Sequence, residues 1–146
     1  MTDGPRGVFA AALTPLKDDL SPDLDALVRH YKWLLANGCD GLAPLGTTGE
    51  ANSFSVDERL SVIDALARSD IPMEKVIVGT GCCAFPDTVR LTKHVLAAGG
   101  SNVLVLPPFY YKKVSDDGLF GAYAEVIERI GDSRLALYIY QFPQMA

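Results

Sequence analysis

Five short apolar runs rich in branched side chains, at residues 7–13, 41–45, 76–80, 103–106 and 135–142, alternate with longer amphipathic stretches. Each run is bounded by Gly or Pro and is too short for a helix, so each reads as a strand. The stretches between them carry helical periodicity. Leu24, Leu27, Val28, Tyr31, Leu34 and Leu35 recur at the i, i+3, i+4, i+7 spacing that places side chains on one face. That helix is predicted to begin at Ser21-Pro22-Asp23, with the Ser21 hydroxyl as N-cap and Pro22 at the first helical position, and to stop at Asn37-Gly38. A second helix opens with the capping-box spacing Ser55-Val56-Asp57-Glu58. A third is expected over 86–98, ending at Gly99-Gly100, and a fourth over 116–130, ending before Gly131.

The strands start at 8, 41, 76, 103 and 135, so successive starts are 33, 35, 27 and 32 residues apart. The repeating unit is therefore βα, and strands apolar along their whole length indicate a parallel sheet covered by helices. Two architectures share this pattern. An open, doubly wound sheet of five strands suits 146 residues. An eight-fold (β/α)8 barrel needs roughly 250 residues, so length alone favours the open sheet.

Composition narrows the function. Eighteen acidic against 13 basic side chains give a net charge of −5, which offers no basic field to nucleic acid. The start of the chain lacks the charged and long apolar regions of a secretory signal, and no stretch reaches 18 uninterrupted apolar residues. A soluble, cytoplasmic protein without a membrane partner is expected. Cys39, Cys82 and Cys83 form neither an even disulfide framework nor spaced zinc knuckles. The acids Asp18, Asp19, Asp116 and Asp117 read as loop and cap residues, so no metal site is expected. His30 and His94 fall in helices, with His94 a turn from Arg90 and expected on the solvated side.

Three loops gather the polar chemistry. After the second strand comes Gly46-Thr47-Thr48-Gly49-Glu50, two hydroxyls and several amides on a flexible turn at the carboxyl end of a parallel strand. Such a turn suits a carboxylate or phosphate, although a plain polar βα turn has the same composition. No Gly-Lys-Ser/Thr follows, so it is not a P-loop. Pro107-Pro108-Phe109-Tyr110-Tyr111 follows the fourth strand, and the fifth ends in Tyr138-Ile139-Tyr140-Gln141-Phe142-Pro143. A tyrosine at a strand end can relay protons or simply pack with its hydroxyl satisfied.

In this order and spacing, the GTTGE turn after an Asp-Gly-Leu strand, the PPFYY segment and the Tyr140-x-x-Pro143 ending resemble the dihydrodipicolinate synthase and N-acetylneuraminate lyase family of class I, Schiff-base aldolases. The resemblance covers the whole chain. It implies a (β/α)8 barrel, of which residues 1–146 supply strands one to five and helices one to four, the amino-terminal part of a single barrel domain. It also implies a lyase acting on pyruvate or another 2-keto (sugar) acid, no cofactor, and a homo-oligomer, dimer or tetramer. In the family the paired threonines hold a pyruvyl carboxylate, which carries over to Thr47 and Thr48. The first threonine joins a proton relay with two tyrosines, which match Tyr140 and, reaching across from a neighbouring subunit, Tyr111. Imine formation and C–C cleavage both move protons between carbinolamine, leaving oxygen and solvent, and a phenol held by hydroxyl partners can shuttle them both ways.

Two departures follow from the same comparison. The family's nucleophile is a lysine on the sixth strand, whereas the lysines here are Lys17, Lys32, Lys75, Lys93, Lys112 and Lys113. None is placed as that residue, so the catalytic lysine is expected beyond this chain. Lys112 and Lys113 lie on the active-site face, but an exposed lysine keeps a high pKa and is a poor amine nucleophile. Synthase members carry Arg two residues after the motif proline to bind a distal carboxylate; here that position is Met145, and Gln141 replaces the usual Asn. Both changes point away from authentic dihydrodipicolinate synthesis toward another keto-acid or sugar-acid lyase. The alternatives are a non-catalytic half-barrel module that keeps the carboxylate turn, and a small doubly wound anion-binding protein.

Overall fold

The computed structural model describes residues 4–144. Its strands and helices alternate: β1 (Phe9–Ala11), α1 (Leu24–Ala36), β2 (Gly41–Ala43), α2 (Val56–Arg68), β3 (Ile77–Gly79), α3 (Phe85–Ala97), β4 (Asn102–Val105), α4 (Asp116–Ile130) and β5 (Ala136–Ile139). Short 3-10 turns at Ala51–Ser53 and Met73–Lys75 precede α2 and β3.

Every strand pair is parallel. β1 runs beside β2 with Phe9 opposite Gly41, and β3, β4 and β5 follow in order with Ile77 opposite Asn102 and Val103 opposite Leu137. The two groups are joined by a parallel bridge from Leu42 to Val76 and by the Gly79 amide, which donates to the Pro44 carbonyl at 2.9 Å. The spatial order is therefore sequential from β1 to β5, with no reversal.

That order decides between the two architectures. Right-handed βαβ crossovers taken always in the same direction leave every helix on one face, whereas a doubly wound sheet must reverse to cover both. The packing agrees, because α1 touches α2, α2 touches α3 and α3 touches α4. Between helices and sheet lies the main core, in which Leu27, Val62, Leu66 and Leu91 meet Leu42, Val78 and Val103, and a smaller cluster of Leu96, Val126 and Ile130 packs α3 against α4. Each such side chain contributes about 1.5–3 kcal/mol when fully withdrawn from water.

Local chemistry sets the helix ends. α2 has a complete capping box, in which the Ser55 hydroxyl accepts from the Glu58 amide and the Glu58 carboxylate accepts from the Ser55 amide. The start of α1 departs from expectation. Its N-cap is Asp23, which accepts from the Ala26 amide at 2.9 Å, and Pro22 stays outside the helix. The reason lies in the preceding loop: Leu16 bridges to Pro22 in antiparallel fashion, and the Ser21 carbonyl and Asp23 amide are both taken by that pairing. The Ser21 hydroxyl donates instead to Asp19 at 2.6 Å. α1 ends at Asn37, followed by Gly38 at φ 101°, and α4 ends at Gly131 at φ 61°, backbone angles that favour glycine. α3 begins and ends one residue earlier than its periodicity suggests, with Pro86 inside its first turn.

The strands are shorter than the apolar runs that announce them. At their carboxyl ends the chain turns into loops that carry the polar residues, as at Leu45, where φ is 56°. His94 also differs from expectation: it is half-buried and its Nε2 lies 2.6 Å from Asp64, tying α3 to α2.

Candidate active site

The GTTGE turn leaves β2 at the carboxyl edge of the sheet, bracketed by Leu45 at φ 56° and Glu50 at φ 53°. Both are left-handed positions held by residues other than glycine, a conformation that costs about 1–3 kcal/mol each and persists only where the surroundings fix it. Several contacts do so. The Glu50 amide returns to the Thr47 carbonyl at 3.1 Å and the Ala51 amide to the Gly46 carbonyl at 3.3 Å. From the β1 side, the buried Thr14 hydroxyl donates to the Gly49 carbonyl at 2.8 Å. Tyr31 of α1 is buried, its hydroxyl makes no hydrogen bond among the described residues, and burial pushes its phenol well above the ordinary value.

From the β3 side, Gly79 lies against the turn so closely that a Cβ there would sit 1.9 Å from the Leu45 carbonyl oxygen. The Thr47 and Thr48 amides make no hydrogen bond among the described residues. They stay available to an anion.

Across the sheet, the Tyr140 amide continues the β5 ladder by donating to the Val105 carbonyl at 3.0 Å. Its ring is stacked on Phe142 with centroids 5.5 Å apart. This brings its hydroxyl to 3.4 Å from the Thr47 hydroxyl, a long hydrogen bond between residues 93 apart in sequence. The two line a cavity of about 220 Å³ together with Gly79, Gly81, Leu104 and Leu106 from the strand ends and Glu50, Asn52 and Ser53 from the turn and the segment after it.

The structure thus brings two of the sequence-derived candidates together. Thr48 is exposed beside Thr47 and does not line the cavity. Tyr111 is 69% exposed, packs edge-on against Tyr110 at 5.3 Å, and borders a separate apolar cleft whose wall includes Pro107, Ile139 and the other side of Tyr140. Within this chain it does not reach Thr47. Lys112 and Lys113 are exposed in that same loop, with the Lys112 ammonium donating to the Phe109 carbonyl at 2.8 Å. Met145 falls outside the described residues. Cys83 is exposed, and no group of three or more metal-ligating side chains converges among the described residues.

Sequence reasoning passed over Arg59. This residue of α2 is 3% exposed and extends to the end of β3, donating to the carbonyls of Gly79 at 2.9 Å and Gly81 at 3.3 Å and to the Cys82 sulfur at 3.0 Å. Burial pulls its pKa down from the usual guanidinium value and pushes the Cys82 thiol up, so Cys82 is held as a neutral acceptor. The signal was present in the sequence, because Arg59 shares the i, i+3, i+4, i+7 face of Val62, Ile63 and Leu66.

A wall of sequential parallel βα units, with polar residues gathered at the strands' carboxyl ends, defines a protein of the (β/α)8-barrel class, with five strands and four helices of it among the described residues. Residues 4–146 match the dihydrodipicolinate synthetase family, and the chain belongs to that family. It is 38% identical over 141 residues to a 4-hydroxy-tetrahydrodipicolinate synthase of Acidiphilium cryptum, covering 94% of this chain and 46% of that protein. Among solved structures, dihydrodipicolinate synthase from Agrobacterium tumefaciens superposes with a TM-score of 0.90 at 35% identity, over 94% of this chain and 48% of that one. YagE of Escherichia coli, a member of the same family solved in complex with pyruvate, superposes with a TM-score of 0.81 at 28% identity, over 95% and 45% of the two chains. The chain therefore spans about half the length of the relatives it matches. No helix among the described residues is long and apolar enough to cross a membrane.

Proposed function

We propose that this chain forms the carboxylate-binding and proton-relay half of a Schiff-base aldolase or lyase acting on pyruvate or a related 2-keto acid. The observation that carries the reading is the 3.4 Å approach of the Thr47 and Tyr140 hydroxyls, both of which line the cavity. Thr47 and the Thr47 and Thr48 amides bind the substrate carboxylate, which orients its C2 carbonyl. The attacking amine belongs to a lysine in the part of the relatives that this chain does not span. Addition of that amine to C2 gives a carbinolamine, and loss of water gives the imine. Tyr140 delivers the proton that lets the hydroxyl leave and takes one back in the reverse step, with Thr47 holding the phenol in line. YagE, a relative with the same fold, binds pyruvate. Tyr111, at the exposed tip of its loop, completes the relay of a neighbouring subunit in a homo-oligomer. The protein acts in the cytoplasm and needs no metal or cofactor for this chemistry.

Borohydride reduction of the complete protein in the presence of pyruvate tests the reading. The expected product is a stable pyruvyl adduct on one lysine outside residues 1–146. Tyr140→Phe should slow turnover about a hundredfold or more, the scale of losing a placed acid–base group, while leaving the fold intact. An adduct on Lys112 or Lys113, or unchanged turnover without the phenol, would overturn it.

A further inference from the structure

We propose that Arg59 is a positioning residue for the carboxylate-binding turn: it anchors the carboxyl end of β3, and through that strand holds Leu45, Gly46 and hence Thr47 in the geometry that receives the substrate carboxylate. The inference rests on the reading of the cavity as a keto-acid site. Arg59 carries a buried positive charge, and among the described residues no carboxylate forms an ion pair with it. Its partners are two backbone carbonyls and a neutral thiol, and its Nε is buried without any partner. A cation held this way is a poor device for stability, since an apolar side chain of similar size in such a place is often neutral or stabilising. What the arrangement supplies is a fixed position for Gly79 and Gly81, both of which line the cavity.

The next links are short and made of backbone. The Gly79 amide holds the Pro44 carbonyl at 2.9 Å, and Gly79 abuts the Leu45 carbonyl with no room for a Cβ. Leu45 is one of the two non-glycine residues in the left-handed region that bracket the turn. Thr14 secures the far end of that turn at Gly49, so Arg59 and Thr14 grip it from β3 and β1. With Arg59 removed, the carboxyl end of β3 loses its side-chain tie to α2 at Gly79 and Gly81, and Leu45 is free to relax toward ordinary backbone angles. Thr47 then moves away from the carboxylate.

The test is Arg59→Met in the complete protein, assayed by pyruvate concentration dependence of borohydride trapping, with thermal melting measured alongside. The expected result is a half-saturating pyruvate concentration raised about tenfold, a melting temperature little changed, and a maximal trapping rate within about threefold of wild type, as for misplacement of a binding group. Arg59→Lys, which keeps the charge but gathers its three donors on a single nitrogen that cannot span the three acceptors as the guanidinium fork does, should give a smaller rise. It serves as the measurement if the Met variant does not fold. Half-saturation within twofold of wild type in Arg59→Met, or in Arg59→Lys where that is the variant measured, overturns the role of Arg59. A wild-type protein that traps no pyruvate at all overturns the keto-acid reading first, and the inference with it.

Discussion

Gly79→Ala should destabilise the protein sharply, because the added methyl has nowhere to go. A Cβ at Gly79 would lie 1.9 Å from the Leu45 carbonyl oxygen, 2.6 Å from its carbonyl carbon and 3.1 Å from the Gly46 nitrogen. All three are backbone atoms, so no rotamer change relieves the clash, and β3 must part from the turn by roughly 1 Å or more to restore ordinary contact. Overpacking of this kind costs about 1–3 kcal/mol. The separation also weakens the Gly79 amide bond to Pro44, worth about 1 kcal/mol. The expected loss is about 2–4 kcal/mol, a large fraction of the usual 5–15 kcal/mol of a folded domain. In urea unfolding of the complete protein this corresponds to a midpoint lowered by about 1–2 M. Gly46→Ala is the control: its Cβ meets nothing within 4 Å, and its stability should stay within about 0.5 kcal/mol of wild type. Equal midpoints for the two variants would show that the close approach of β3 to the turn is not a feature of the molecule, and would remove the backbone path on which the role of Arg59 depends.

Two further outcomes follow from the structure. Hydrogen bonds from the Arg134 guanidinium and amide hold the Asp132 carboxyl down to about pKa 2, below its value of about 3.9 in an unfolded chain. The native state thus favours the charged form, and its contribution to stability is present above about pH 4 and lost as pH falls through 2. Asp132→Asn should therefore melt below wild type at neutral pH, with the gap closing across that window; a gap independent of pH would exclude this pairing as its source. A polypeptide of residues 1–146 alone should self-associate, because Ile139 on β5 is 64% exposed, Val8 beside β1 is 64% exposed and Phe120 on α4 is 78% exposed. Uncovered strand edges and apolar faces recruit other chains. A sedimentation profile of a folded monomer at micromolar concentration would contradict it.

Sequence pattern reached the helices and missed the geometry between them, for a physical reason. Helix periodicity, the Ser55–Glu58 box and the Gly131 stop are local, and each is decided by neighbours within a few residues. Pro22 shows the limit of that reasoning, since its place outside α1 is fixed by a bridge to Leu16 rather than by its own preference for a first helical turn. The choice between an open sheet and a barrel wall is not local at all. Both use the same βα unit, and only the order of strand pairing separates them. Length favoured the open sheet because it treated the chain as sufficient to itself, and the family resemblance corrected that through three loop motifs. The meeting of Thr47 with Tyr140 depends on the same pairing order, since nothing in the intervening residues brings β5 around to β2.

Arg59 is a different kind of miss. Its position on the apolar face of α2, in register with Val62, Ile63 and Leu66, was legible from the start. A charge on a core-facing stripe is expensive unless it meets fixed acceptors, so such a residue marks a place where backbone carbonyls must be waiting. Here those carbonyls belong to Gly79 and Gly81 at the end of the next strand. The misplaced charge on one helix thus locates the polar end of the neighbouring strand, and that is the end at which parallel βα proteins place their chemistry.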